Sequence, residues 1–144
     1  MEAGGFCVEC GTPLGSRTID GRVRRSCPRC GHVEWRNAKP CAGALVIRHG
    51  KVLLIRRAIE PYIGFWDIPG GFCEQDEHPA ETALREVKEE TGLEIELTEL
   101  LGLWLDEYGD RTTLNIYYVA NPLIGSLQVG SDAVGAAWFS PDAL

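Results

Sequence analysis

The sequence predicts a mixed α/β or α+β domain, with strands arranged around one helix, behind a small cysteine-rich N-terminal unit. Apolar strand-like runs separated by turns fill most of residues 37–144, and one strong helical pattern interrupts them at 79–92. Residues 1–36 are rich in Cys, Gly and Arg but have almost no large apolar side chains, so they cannot build a core of their own. We therefore place a domain boundary between residues 36 and 37.

The overall composition is that of a globular domain. The chain has 144 residues, of which 44% are hydrophobic and 24% are charged. No apolar run is long enough to cross a bilayer, and the N-terminus lacks the basic stretch and apolar segment of a secretory signal. From the sequence we expect a cytoplasmic protein with no membrane partner.

Charge is distributed unevenly along the chain. The formal net charge is −7, with a balance of +2 in residues 1–36 and −9 in residues 37–144. Ten acidic side chains lie between Glu74 and Glu99. An acidic body repels polyanions, so we do not expect a nucleic-acid partner. A concentrated acidic cluster can instead hold divalent cations, which in turn bind phosphates.

Two Cys-x-x-Cys pairs mark the N-terminal unit. Cys7 and Cys10 are separated from Cys27 and Cys30 by sixteen residues, a spacing typical of a four-thiolate zinc site. Without an export signal the thiols stay reduced, which favours zinc over the alternative of unligated or oxidised cysteines. A strand, an Asp-Gly turn and a second strand lie between the pairs, so we predict a zinc ribbon at 1–36. Four protein ligands leave no open position on the ion, so its predicted role is structural.

The second unit has strand and helix patterns in a clear order. Two apolar strands joined at His49-Gly50-Lys51 form a predicted hairpin, and a loop rich in Pro and Gly follows at 60–71. The helix has Pro79 in its first turn and Gly92 just beyond its end. Three further strand-like runs come after the helix, at 95–105, 112–120 and 135–139.

The predicted helix has an apolar face bordered by acidic residues. The residues that we expect to face the core are Ala80, Ala83, Leu84, Val87 and Thr91. Glu86 and Glu90 are four residues apart at the edge of this face, and Glu89 flanks them. Like charges at this spacing destabilise a bare helix. One interpretation is a solvated acidic face; the other is a site for Mg²⁺ or Mn²⁺, which the position of the two glutamates beside the buried face favours.

The same region resembles a known family. Gly71, Glu77 and the run Arg85-Glu86-Val87-Lys88-Glu89-Glu90-Thr91-Gly92-Leu93 match every fixed position of the Nudix hydrolase signature. The flanking runs "GFWDIPGG" and "AAWFSPDAL" are also similar to that family, so the resemblance covers about 39–144. The ribbon resembles that of Nudix proteins that include NADH, FAD and ADP-ribose pyrophosphatases.

The resemblance implies a Nudix α/β/α sandwich with a mixed sheet that hydrolyses a nucleoside diphosphate linked to another group, using Mg²⁺ or Mn²⁺. It implies that the metal ligands are the carboxylates of Glu86, Glu89 and Glu90, completed by the carbonyl of Gly70 or Gly71. The resemblance also implies that Glu86 assists in removing a proton from water. The resemblance further implies that Arg85 and Glu77 orient the helix and its carboxylates, although Arg85 could instead form a plain helix salt bridge.

A further catalytic acid outside the helix is common in the family. Asp132 is our candidate because it lies just before the last strand. The rivals are Asp106, Glu107 and Asp110, and for each candidate a solvated loop acid is the favoured alternative to a catalytic one.

The signature does not choose the substrate. The motif that usually follows it in NADH pyrophosphatases, Ser-Gln-Pro-Trp-Pro-Phe-Pro-Xaa-Ser, is missing from 100–120, which argues against NADH as the main substrate. By analogy with ribbon-bearing relatives we expect ADP-ribose or an FAD-type dinucleotide. NADH or another nucleotide stays an alternative. Four aromatic residues could stack on a base or belong to the core: Trp104, Tyr108, Tyr117 and Tyr118.

A non-enzymatic alternative is a nucleotide-sensing Nudix module. Four arginines of the ribbon could then contact a polynucleotide or a protein: Arg22, Arg24, Arg25 and Arg29. The complete set of carboxylates favours an enzyme, because a sensor has no need to keep them. Homodimers are common in the family, so a homodimer is one expected assembly.

Overall fold

The computed structural model describes residues 5–130 and 133–144. The chain divides into two compact units, Met1–Asn37 and Ala38–Leu144. Within the described residues, no helix is long and apolar enough to cross a membrane.

The first unit contains a small antiparallel sheet. Its strands, in sheet order, are β1 (Gly15–Ile19), β2 (Arg22–Ser26) and β3 (Val33–Glu34). Asp20 and Gly21 join β1 to β2 with φ angles of 49° and 74°, as a tight hairpin turn requires. The predicted strand, Asp-Gly turn and strand are therefore confirmed.

The second unit is a mixed seven-stranded sheet with one α-helix, α1. Its elements in chain order are β4 (Lys39–Arg48), β5 (Lys51–Arg57), β6 (Trp66–Asp67), β7 (Gly70–Phe72), α1 (Pro79–Thr91), β8 (Glu94–Tyr108), β9 (Arg111–Ile124) and β10 (Ala133–Phe139). The sheet order is β10-β5-β4-β9-β8, with β6 paired to β5 and β7 paired to β4. Strands β4 and β9 are parallel and the other pairs are antiparallel. The predicted mixed α+β class is confirmed; among the described residues, the only other helix is a short 3-10 turn at Pro141–Ala143.

Strand β4 lies at the centre of this unit because it changes partner along its length. Its first half pairs with β7, its end pairs with β5, and β9 runs alongside it in parallel. Gly43 lies opposite Gly70 in the pairing with β7, and a Cβ on Gly43 would collide with the carbonyl oxygen of Pro69. The glycines therefore allow residues 69–71 to approach β4 closely, which places this loop under α1.

Local sequence sets both ends of α1. His78 caps the N-terminus: its Nδ1 accepts the Ala80 N–H at 3.1 Å, and its own N–H donates to Glu81 Oε2 at 2.8 Å. Gly92 ends the helix in the left-handed conformation, with a φ of 74°. The Pro79 and Gly92 predictions are therefore confirmed.

The buried face of α1 differs from the prediction at three positions. Ala83 and Val87 are fully buried against the sheet, as expected, but Leu84 is exposed. Thr82 and Glu90 are buried instead. The helix packs on β4 and β7, where Glu90 accepts a hydrogen bond from the Gly70 N–H, and the Thr82 hydroxyl donates to Glu77. Both buried polar side chains therefore have hydrogen-bond partners.

We expect the core to depend on Leu53 of β5, which is 0% exposed. Leu53→Ala should lower the free energy of unfolding by about 2–5 kcal/mol, because it removes buried methyl groups and leaves a cavity. The matched control is Leu123→Ala in β9, where the side chain is 61% exposed, and its effect should stay within about 0.5 kcal/mol. Urea denaturation measures both; equal losses in the two variants would contradict this assignment of the core.

Candidate active site

A cleft of about 330 Å³ opens in the second unit. Side chains or backbone from β4, β5, β6, β7, α1, β8 and β9 line it. Because it gathers side chains from distant parts of the chain and mixes apolar with charged groups, it has the character of a ligand-binding site.

Glu86 of α1 lies against the glycine loop on one side of this cleft. A Cβ added to Gly71 would come within 2.5 Å of Glu86 Oε1, so a larger residue at position 71 would displace this carboxylate. The Glu86 side chain is 15% exposed. Burial raises the pKa of the Glu86 carboxyl above its usual value, and the ion pair with Arg85 at 2.7 Å opposes that rise.

Glu90 lies one helical turn further along and is also buried. Its Oε2 accepts a hydrogen bond from the Gly70 N–H at 3.0 Å. The sequence interpretation expected a carbonyl of Gly70 or Gly71 beside these carboxylates. The contact found at Gly70 is made by its N–H group, which donates to a carboxylate oxygen of Glu90.

Arg85 links the helix to the segment that precedes it. Its guanidinium makes two bonds to Glu77, from Nε to Oε1 at 2.8 Å and from Nη2 to Oε2 at 2.9 Å. Nη1 reaches Glu86 Oε1 at 2.7 Å and Glu89 Oε2 at 3.2 Å, and Nη2 also donates to the Phe72 carbonyl at 3.2 Å. One cation therefore contacts three carboxylates and a strand.

The Arg85 pair strongly affects Glu77. The bidentate contact with Arg85 lowers the pKa of the Glu77 carboxyl to about 2, and the Thr82 hydroxyl, which donates to Glu77 Oε2 at 2.6 Å, adds to the shift. Glu77 is therefore ionised at neutral pH and holds Arg85 in a fixed orientation.

The three helix glutamates offer oxygen ligands but are not drawn tightly together. Among the described residues, only the four ribbon cysteines form a group whose ligand atoms all lie within 4.8 Å of one another. Arg85 attracts Glu86 and Glu89, whereas Gly70 holds Glu90. Oxygen donors on successive turns, two of them largely buried, suit the hard cations Mg²⁺ and Mn²⁺.

The cleft also contains Arg57, Tyr62 and Asp67, which the sequence interpretation did not single out, beside Tyr108 and Tyr117, which it did. Arg57 donates to the Tyr108 hydroxyl at 2.8 Å and to Asp67 Oδ2 at 3.3 Å. Tyr117 is nearby, and burial raises the pKa of its hydroxyl to about 12, with Asp67 adding to the shift. Tyr62 also lines the cleft. The available signal was the Pro- and Gly-rich loop that contains Tyr62 and Asp67.

The candidates for a further catalytic acid outside the helix have different positions. Asp106 lines the cleft, whereas Glu107 and Asp110 are not among its described lining residues. Asp132 lies outside the described residues.

The four aromatic residues considered for base stacking also lie in different places. Tyr108 and Tyr117 line the cleft, and Trp104 contacts the Tyr117 ring with a centroid distance of 5.9 Å. Tyr118 packs against the hydrophobic core.

The first unit contains the four-cysteine cluster. Sulfur–sulfur distances are 3.6 Å for Cys7–Cys30, 3.5 Å for Cys10–Cys27 and 3.7 Å for Cys10–Cys30. A tetrahedral zinc ion with Zn–S bonds of about 2.3 Å requires sulfurs about 3.8 Å apart. The Cys30 N–H, 3.5 Å from Cys27 Sγ, lowers the pKa of the Cys27 thiol to about 6. The cluster can therefore hold a metal ion through its thiolates.

Comparisons with known proteins agree with this geometry. A MutT-like protein from Streptomyces ambofaciens is 36% identical over 101 residues, covering 70% of this chain and 62% of that protein. An ADP-ribose pyrophosphatase from Methanocaldococcus jannaschii is 35% identical over 97 residues, covering 66% and 57%. An NAD-capped RNA hydrolase, NudC, from Pseudomonas aeruginosa is 32% identical over 142 residues, covering 96% and 49%. The chain thus spans about half to two-thirds of the length of these relatives.

Solved structures show the same fold. A Nudix hydrolase from Nitrosomonas europaea has a TM-score of 0.83 and 29% identity, with 96% of this chain and 79% of that chain covered. A MutT Nudix hydrolase from Burkholderia pseudomallei has a TM-score of 0.72 and 27% identity, with 76% and 88% covered. The model of the NUDIX domain matches residues 38–144. The chain therefore belongs to the Nudix hydrolase family.

Proposed function

We propose that this chain is a metal-dependent pyrophosphohydrolase that cleaves the diphosphate bond of a nucleoside-diphosphate-linked compound. The observation that carries the proposal is that Glu86 and Glu90 enter one cleft beside a glycine loop. ADP-ribose or an FAD-type dinucleotide is the substrate that we favour, and the relative named ADP-ribose pyrophosphatase supports the first of these.

We propose that Glu86, Glu89 and Glu90 hold Mg²⁺ or Mn²⁺, together with backbone from Gly70 or Gly71. Such an ion neutralises phosphate charge, lowers the pKa of a bound water and aligns the reactants. The chain's own residues bind and orient the ion and the substrate. Glu86, which is largely buried and has a raised pKa, accepts a proton more readily than an exposed glutamate.

Arg85 and Glu77 have a positioning role in this proposal. Their bidentate contact fixes the guanidinium that contacts Glu86 and Glu89, so both carboxylates keep a defined direction when substrate enters. Asp106 lines the cleft and is a candidate further acid. Asp132 stays a sequence-based candidate for the same role.

A second candidate substrate is NAD-capped RNA. The relatives named as NAD-capped RNA hydrolases align over 96% of this chain, a range that includes both units. The sequence argument against NADH and nucleic acid stays a prediction, based on the missing motif and the acidic body. A nucleotide-sensing module is the non-enzymatic alternative. The cytoplasmic location and the homodimer also stay predictions.

For the first unit we propose a structural zinc ribbon at 1–36, with Cys7, Cys10, Cys27 and Cys30 as ligands. The sulfur spacing supports this assignment. Because the unit has few buried apolar side chains, bound zinc would supply much of its stability.

The catalytic proposal is tested with a panel of ADP-ribose, FAD, NADH, NAD-capped RNA and nucleoside triphosphates, with Mg²⁺ or Mn²⁺. We expect hydrolysis of a diphosphate-linked compound. Glu90→Gln should reduce kcat by ~100- to 1,000-fold, because it removes a ligand charge worth several kcal/mol in the transition state. Its thermal midpoint should change little, because the amide oxygen can still accept the Gly70 N–H.

The matched control is Glu99→Gln, at an exposed carboxylate on β8, which should leave kcat unchanged. A fully active Glu90→Gln variant would overturn the ligand assignment. Absence of hydrolysis across the panel by the folded protein would overturn the proposed function.

The zinc proposal predicts about one zinc per purified chain by metal analysis. Chelation should melt residues 1–36, because the folded ribbon depends on the ion, and amide hydrogen exchange would show the loss of protection there. Cys10→Ser should lose the zinc, whereas Cys41→Ser, outside the cluster, should keep it. Purified chain without zinc would refute this assignment.

The Glu77–Arg85 pair predicts a pH-dependent stability. The folded-state pKa of Glu77 lies below its ordinary value of 4.5, at about 2, so the pair stabilises the fold above pH 4.5. That contribution is lost as the pH falls through this window. Glu77→Gln should therefore be less stable than the parent at pH 7, and the difference should shrink towards pH 2.

Urea denaturation followed by tryptophan fluorescence in a Trp35→Phe background reports the second unit alone, because the other three tryptophans lie there. Glu96→Gln, at an exposed carboxylate with no ion pair among the described residues, is the control and should show no such trend. A difference between Glu77→Gln and the parent that stays constant with pH would contradict the assignment.

A further inference from the structure

The segment between β5 and β6 holds an aromatic residue in an unfavourable backbone conformation. Tyr62 has a φ of 67°, a left-handed value that is rare for a bulky side chain. Such a conformation persists only where its surroundings enforce it. Here the Phe65 N–H donates to the Tyr62 carbonyl at 3.1 Å, and Gly64 and Phe65 bond to the Arg57 backbone at 2.9 Å on both sides.

Arg57 anchors this segment to two strands. Its Nε donates to the Pro61 carbonyl at 2.9 Å, next to Tyr62. Its other nitrogens bond the Tyr108 hydroxyl on β8 and the Asp67 carboxylate on β6. The Arg57 side chain is 14% exposed, so its contacts are largely shielded from water. These bonds explain how the strained residue is held.

The result is an aromatic ring at the cleft on a backbone that hydrogen bonds hold in place. Tyr62 is 54% exposed and lines the cleft, and its ring meets Phe65 edge-on with a centroid distance of 6.3 Å. Ile59, also exposed, lines the cleft too. The packing of the core does not require a half-exposed tyrosine at a positive φ. A flat π-face beside polar groups suits a planar heteroaromatic ligand.

Direct contacts join the aromatic residues around Tyr62 and Tyr108 to the acidic residues of α1. Arg85 donates to the Phe72 carbonyl, and the Phe72 ring meets the Tyr108 ring edge-on at 5.7 Å. The Tyr108 hydroxyl in turn accepts from Arg57. One cleft therefore offers carboxylates for a metal–diphosphate group and a separate aromatic surface for the group attached to it.

We propose that Tyr62 forms a nucleobase subsite, in which its ring stacks on the base of the nucleotide, and that Arg57 is the residue that positions it. The inference rests on the proposed function only for the location of the diphosphate. Stacking between a base and an aromatic side chain needs only the π-face of the base and does not depend on its pattern of hydrogen-bond donors and acceptors. The subsite therefore accepts purine and pyrimidine bases.

The test measures binding of AMP, GMP, UMP and ribose 5-phosphate to the full chain by calorimetry with Mg²⁺. Tyr62→Gly is the informative variant, because glycine adopts a positive φ without strain and the thermal midpoint should not fall. We expect the Kd values of AMP, GMP and UMP to rise about 5- to 100-fold, whereas the Kd of ribose 5-phosphate, which has no base, stays unchanged. Tyr62→Phe should retain parental affinity.

Ile63→Ala is the matched control, because Ile63 is equally exposed in the same segment but is not among the residues that line the cleft. Arg57→Gln should weaken nucleotide binding and spare ribose 5-phosphate. In the Tyr62→Gly background Arg57→Gln should have no further effect on nucleotide affinity, an outcome that a general loss of stability would not give.

The outcomes separate this inference from the proposed function. The subsite is refuted, even in an active hydrolase, if nucleotides bind no better than ribose 5-phosphate. It is also refuted if Tyr62→Gly does not change the difference in affinity between nucleotides and ribose 5-phosphate. If that difference depends on Tyr62 but no diphosphate compound is cleaved, the subsite stands and the proposed function fails. For an active enzyme, Tyr62→Gly should raise KM and leave kcat unchanged.

Discussion

The site depends on the Arg85 guanidinium, which forms ion pairs with three nearby carboxylates. Three glutamates within five positions of a helix repel one another, and two of them are largely buried, which adds a cost of desolvation. Arg85 offsets this cost by contacting Glu86 and Glu89, and Glu77 fixes Arg85 through two parallel bonds. Without this ion-pair cluster the acidic helix could not present its carboxylates to the cleft in a defined direction.

A second constraint is the close approach of the glycine loop. Gly43 and Gly70 let β4 and β7 touch where any side chain would collide, and Gly71 leaves room for the Glu86 carboxylate. The Gly70 N–H then satisfies Glu90, a buried acid of the helix. The loop that packs against the helix therefore also supplies the hydrogen-bond donor for the buried Glu90 carboxylate.

Local patterns predicted the elements well and the details of burial less well. The hairpin at His49-Gly50, the helix ends and the strand–turn–strand of the ribbon follow from turn and capping chemistry, which depends on neighbouring residues alone. The helix wheel placed Leu84 in the core and did not include Thr82, whereas in the structure Leu84 is exposed and Thr82 is buried. A wheel gives the apolar side but cannot show which polar residue gains a buried partner.

The sequence by itself determined that Glu86 and Glu90 lie one helical turn apart, and that two cysteine pairs form a cluster of four thiols. Helix period fixes the first result locally, and two short turns with a hairpin between them favour the second. Only the tertiary structure decided that Arg57 contacts Tyr108, a residue fifty-one positions later in the chain, at the cleft. That contact depends on strand order and register across the sheet, and neither is encoded in any single stretch of residues.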